Sequence, residues 1–129
     1  LPQRRTLWHR RVVIERCKAK YHTRLEDGRR EARHWLELLG TDQLRGEIDV
    51  AWRELAEVRT ADLAWPLAQL LAELRIDPSD LSPGDSAALL HALAEVHMTV
   101  DREDLAYAEE LLQKRRAEAL DSIVDQVCR

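Results

Sequence analysis

Apolar residues recur along this chain at three- and four-residue steps, the spacing that gathers them on one face of an α-helix. Leu7, Ile14, Cys17, Tyr21 and Leu25 form the first such stripe and predict a helix from about Arg5 to Leu25. Glu26-Asp27-Gly28 then offers a turn, although Gly28 also fits inside one long helix at a cost of about 1 kcal/mol relative to Ala. A helix from Arg29 to Leu39 follows, with Ala32, Trp35, Leu36 and Leu39 inward and Gly40 placed as a left-handed C-terminal cap. Thr41 or Asp42 caps the next helix, whose stripe is Leu44, Ile48, Trp52 and Leu55, with Val58 near its end. Thr60 and Asp62 mark a break. Leu67, Leu70, Leu71 and Leu74 then define a helix from about Leu63 to Arg75, with Pro66 in or near its first turn, where its missing N–H does no harm.

The clearest loop is Asp77 to Gly84. Ser82 caps and Pro83 opens a helix running to about His97, through Leu89, Leu90, Leu93 and Val96. Asp101, with Asp104 as a capping-box-like acid, starts a last helix to about Val127, with Leu105, Ala108, Leu112, Ala119, Ile123 and Val127 inward. No segment alternates with a strand's period. The expected fold is all-α, one compact bundle of about five helices, mostly antiparallel because the loops are short. A single domain spanning residues 1–129 fits the usual size of roughly 100–200 residues per domain.

Composition agrees with that pattern. Gly and Pro number 4 each, few for a sheet protein, and Phe is absent, so Leu and Trp supply the bulk of the core. No apolar run approaches the roughly 18 residues of a membrane span, and no apolar segment of the signal-peptide kind follows the basic start, so a cytoplasmic protein is expected. Cys17 and Cys128 match no metal-ligand spacing, and two reduced thiols are expected rather than a disulfide.

Charge changes the picture more. Residues 1–34 hold 11 Lys/Arg against 4 Asp/Glu, while the rest holds 9 against 20, so a net charge of −4 conceals a basic arm on an acidic body. The cations are Arg4, Arg5, Arg10, Arg11, Arg16, Lys18, Lys20, Arg24, Arg29, Arg30 and Arg33. Spaced at about one per helical turn, such residues can follow successive phosphates of a nucleic-acid backbone. Arg10 is the weakest of them, because it points towards the apolar stripe. Trp8 and Tyr21 lie among the cations, where an exposed ring would stack on a base and a buried one would only pack. Two other readings stay open: a solvated face or one paired with the acidic body, and a face for an acidic protein. Lys114-Arg115-Arg116 is a secondary basic patch that extends a phosphate track or pairs with Glu118 or Asp121.

The chemistry of catalysis finds no motif here: no Gly-rich phosphate loop, H-E-x-x-H, C-x-x-C or G-x-S-x-G. His9, His22, His34, His91 and His97 lack the three- or four-residue spacing of a helical metal pair. Glu109-Glu110 and Asp101 with Asp104 read as an acidic helix and its cap. No enzyme activity, cofactor or metal is expected.

With its basic tract from Arg4 to Arg33, its roughly five-helix pattern and no catalytic motif, the chain resembles the small subunits of CRISPR effector complexes. That resemblance implies a non-catalytic structural subunit of an RNA-guided assembly, touching the RNA or DNA backbone without reading sequence, beside other subunits. The opposed charges also allow self-stacking, basic face on acidic face. The alternative is a helical protein–protein adaptor without nucleic-acid binding, using Trp35, Trp52 or Trp65 as anchors.

Overall fold

The computed structural model describes the backbone of residues 2–128 and the side chains of residues 10–128. Every regular element within those limits is helical: α1 Pro2–Glu37, α2 Thr41–Ala56, α3 Ala64–Glu73 and α4 Pro83–Val127, with 3-10 turns at Thr60–Leu63 and Pro78–Asp80. The chain is all-α, with four α-helices where the periodicity predicts about five.

The difference lies at two expected breaks. The turn at Glu26-Asp27-Gly28 does not form, and α1 runs straight through it. Glu26 Oε1 lies 3.6 Å from His22 Nε2 one turn back, a contact that the helical register brings together, and Gly28 has open space where a Cβ would stand. Likewise α4 passes unbroken through Met98 to Asp101. The Thr99 hydroxyl donates to the Glu95 carbonyl at 2.9 Å, satisfying itself within the helix instead of ending it. Asp101 is therefore an interior helical residue, not a cap.

Two caps also differ from expectation. Gly40 has no positive φ and does not terminate α1 in a left-handed turn. It stands one residue before α2, where its carbonyl accepts from Leu44 N–H at 2.9 Å and its N–H donates to Gln43 Oε1 at 3.1 Å. Gly40 thus takes the capping position expected of Thr41 or Asp42, and Gln43 supplies the reach-back half of a capping box. The free carbonyls at the end of α1 are satisfied from elsewhere: Arg115 donates through Nη2 to Glu37 O at 2.5 Å and through Nη1 to Leu39 O. At α4 the expectation holds. Asp85 N–H donates to Ser82 Oγ at 3.1 Å and Ser82 N–H to Asp85 Oδ2 at 3.2 Å, a reciprocal box with Pro83 at the first helical position.

The chain divides into two compact units, and α1 and α4 contribute a segment to each. Unit 1 comprises residues 1–27 and 57–100. Its core joins Val13, Cys17 and Tyr21 of α1 to Leu63, to Leu67, Leu70 and Leu71 of α3, and to Leu89 and Leu93 of α4. Unit 2 comprises residues 28–56 and 101–129. Its core joins Leu44 and Ile48 of α2 to Leu105, Ala108 and Leu112 of α4, with Leu36, Leu39, Ala51 and Leu55 packed against them. Ala32 and Trp35, expected inward, are exposed, as is Trp52. The α4 stripe also fails beyond Leu112. Ala119, Ile123 and Val127 keep the helical register, yet every residue from Arg116 to Cys128 is exposed, because no described segment covers that end of the helix.

Arg75 is the only described residue outside glycine with a positive φ, at 58°. It ends α3: Ile76 N–H donates to Leu71 O at 2.9 Å and Arg75 N–H to Ala72 O at 3.1 Å, the paired bonds of a Schellman turn. An L-residue pays about 1–2 kcal/mol in that conformation and glycine does not. Arg75→Gly is therefore expected to stabilise the protein by about 1 kcal/mol in denaturant titration, with Arg75→Ala near neutral. A destabilising Arg75→Gly would mean that the arginine side chain itself holds the turn.

Candidate functional site

The basic arm is the first candidate. Arg4 and Arg5, with Trp8, lie outside the described side chains. Most of the nine remaining cations have acidic partners inside the protein. Arg10 Nε sits 3.3 Å from Asp85 Oδ1. Lys20 Nζ and Arg24 Nη2 converge on the two oxygens of Glu73, at 2.9 and 2.6 Å, while Arg24 Nη1 reaches Gln69 Oε1 at 3.1 Å. The hydrogen bond from Lys20, above all, holds the Glu73 carboxyl below its ordinary pKa. Lys18 has only the adjacent-turn Glu15, at 3.9 Å.

In unit 2, Arg29 donates through Nη2 to Glu103 Oε2 at 2.8 Å, while its buried Nε forms an ion pair with Asp104 Oδ1 at 2.9 Å without hydrogen-bond geometry. Arg33 shares Asp104, with Nη2 at 3.5 Å, and lays its guanidinium 4.5 Å from the centre of the Tyr107 ring. The Tyr107 hydroxyl donates to Glu37 Oε1 at 2.5 Å, and that bond raises the tyrosine pKa above its usual value. Arg11, Arg16 and Arg30 are the exposed members of the set with no partner among the described residues.

Phosphate binding by the paired cations would have to displace carboxylates already in place. Arg16, Lys20 and Arg24 do line an open hollow of about 560 Å³, but Glu73 and Asp27 line it too, and both repel an anion. Tyr21 is no stacking platform. It is buried, and its hydroxyl lies 2.9 Å from His97 Nδ1. The thiols are free: Cys17 buried, its pKa raised by desolvation, and Cys128 exposed. Among the described residues no group of three or more His, Cys, Asp or Glu is placed to hold a metal ion, and no helix is long and apolar enough to cross a membrane.

The second candidate is apolar. Eight of the nine exposed large hydrophobic residues described belong to unit 2: Trp35, Leu38, Val50, Trp52, Leu120, Ile123, Val124 and Val127. Trp65, 71% exposed, is the one in unit 1. Trp52 is fixed by its indole N–H, which donates to Glu109 Oε1 at 3.1 Å. Trp35, 50% exposed, walls a groove of about 260 Å³ between the segments of α1, α2 and α4 that make up unit 2. Ala51 and Ala108 are small enough to leave that space. Glu47, Glu54, Asp101 and Asp104 stand round it, and no Lys or Arg does.

The sequence held a signal for this groove. Glu47, Ala51 and Glu54 fall on one face of α2 at four- and three-residue steps, carboxylates flanking a small residue where a larger one would fill the gap. Arg115 gave no comparable signal, because its acceptors are main-chain carbonyls more than 70 residues away.

No protein-family profile, curated protein or solved structure matches this chain.

Proposed function

We propose that this protein is a helical protein–protein interaction module, with unit 2 as its binding surface. The observation carrying this reading is Trp35, a large aromatic held half in solvent at the wall of a preformed groove. Tryptophan is enriched among the energetic anchors of protein interfaces. The alignment of most arm cations with internal carboxylates supports the same reading, since it leaves a much weaker field for phosphates than the sequence suggests.

A second reading is kept because of Arg11, Arg16 and Arg30, exposed and without partners among the described residues. With Arg4 and Arg5 they would serve a sequence-independent nucleic-acid-binding subunit of a larger nucleoprotein complex, the role that the resemblance to CRISPR small subunits implies. One paired experiment separates the two. A photo-crosslinking residue at position 35, used in the source cells, should capture a protein, and Trp35→Ala should abolish stable association with that protein. Reversal of Arg16 and Arg30 to Glu should leave the association intact. Wild-type protein should show no salt-sensitive binding to labelled single-stranded RNA, single-stranded DNA or duplex DNA. The nucleic-acid reading demands the reverse: binding that the double reversal weakens, with its log–log salt slope reduced by about 2, and that Trp35→Ala leaves alone.

A further inference from the structure

We infer that the groove of unit 2 receives the basic N-terminal segment of a second copy of this chain, giving head-to-tail association; this rests on the interaction-module reading and names its partner. The groove sets the chemistry of its occupant. A volume of about 260 Å³ exceeds the roughly 150 Å³ that admits a benzene ring, so one bulky apolar side chain fits. The acids at its edge require cations beside that side chain. Asp104 is already bound by Arg29 and Arg33, whereas Glu47 and Glu54 have no partner among the described residues. They are seven residues apart on α2, about 10.5 Å along the axis, with Ala51 between them. The complementary helix therefore carries cations seven apart and a large apolar residue three or four positions after the first.

This chain contains that spacing. Arg4 and Arg11 are seven apart, and Leu7 and Trp8 stand three and four positions after Arg4. The α1 backbone is helical from Pro2 onward, so at about 100° per residue these four positions share one face. Arg11 is exposed and has no described partner that would compete. In the complex, Arg4 and Arg11 meet Glu47 and Glu54 of the second copy while Leu7 or Trp8 occupies the space over its Ala51. The surfaces are different patches of one chain, so each contact pairs the arm of one copy with the groove of another.

A charge swap tests this by sedimentation at low and high salt. The wild type should grow beyond its 15.0 kDa monomer with concentration, and salt should reverse the growth. Arg4→Glu with Arg11→Glu in one chain, and Glu47→Lys with Glu54→Lys in another, should each weaken association on the order of tenfold or more. Mixing the two variants should restore it, because every arm–groove contact between them is again of opposite charge; recovery on mixing also shows that both variants are folded. A wild type that stays monomeric at low salt, variants that associate like the wild type, or a mixture that remains monomeric would each overturn the proposal. Should the chain be monomeric while position 35 still captures another protein, self-docking fails and the interaction-module reading stands.

Discussion

Leu93→Ala should cost unit 1 about 3–5 kcal/mol, and Leu44→Ala should cost unit 2 a similar amount. Both leucines are fully buried, Leu93 among α1, α3 and α4 residues and Leu44 against Leu105, Ala108 and Leu112. Truncation removes the transfer free energy of the lost carbons and leaves a cavity that rigid helix backbones cannot collapse, which places Leu→Ala in the range of about 2–5 kcal/mol. Native stability for a domain is about 5–15 kcal/mol, so either change removes a large share. Amide exchange reads the effect locally, because α3 belongs wholly to unit 1 and α2 wholly to unit 2. Protection of α3 should fall in Leu93→Ala, and protection of α2 in Leu44→Ala. Ile123→Ala is the control. Although it continues the same α4 periodicity, Ile123 is 57% exposed, and its truncation should stay within about 0.5 kcal/mol. A cost at Ile123 equal to that at Leu93 would show that the overhanging end of α4 is covered in solution.

That control marks where the sequence was legible and where it was not. Periodicity identifies which residues share a helical face, and Cys17, Leu44, Leu70, Leu89 and Leu93 were all placed correctly in the core by it. It cannot say whether a neighbour exists to cover the face, so Ile123 and Val127 read as core and are not. The break before Asp101 was misjudged for a related reason, and at Gly28 it was the long-helix alternative that held. Gly28 and the residues Thr99 to Asp101 each cost about 1 kcal/mol or less against helix, small beside the packing on either side. The Ser82 cap was legible because a capping residue and its target lie within one turn, and Asp85 completes the pair three residues on. The Arg115 cap of α1 was not, because its partners come together only in the folded chain. The basic arm was the most conspicuous feature of the sequence and the one most altered by the fold: charge counts do not show that Glu73, Asp85, Glu103 and Asp104 arrive beside it.

Asp104 is the point at which that rearrangement is largest, and Asp104→Ala should destabilise unit 2 by about 1–3 kcal/mol. The carboxylate holds Arg29 Nε at 2.9 Å and Arg33 Nη2 at 3.5 Å, and the Arg29 side chain is only 12% exposed. Removing one member of a fully buried pair costs about 3–5 kcal/mol, since the other charge is left desolvated. Here the cost is smaller, because Asp104 is 37% exposed and Glu103 still reaches Arg29 at 2.8 Å. Arg29→Met should cost less than Asp104→Ala, because it removes the buried cation together with its need for a partner while keeping the packed stem. In a double-mutant cycle Asp104→Ala should therefore lose most of its effect on the Arg29→Met background; two costs that simply add would show the pair to be uncoupled. The same variant bears on function. Asp104→Ala frees Arg33 of its carboxylate and leaves Arg29 paired with Glu103, so a protein whose arm is neutralised from within should gain salt-sensitive RNA or DNA binding when Asp104 is removed. A protein that already used Arg29 and Arg33 on phosphates would bind before the substitution and change little after it.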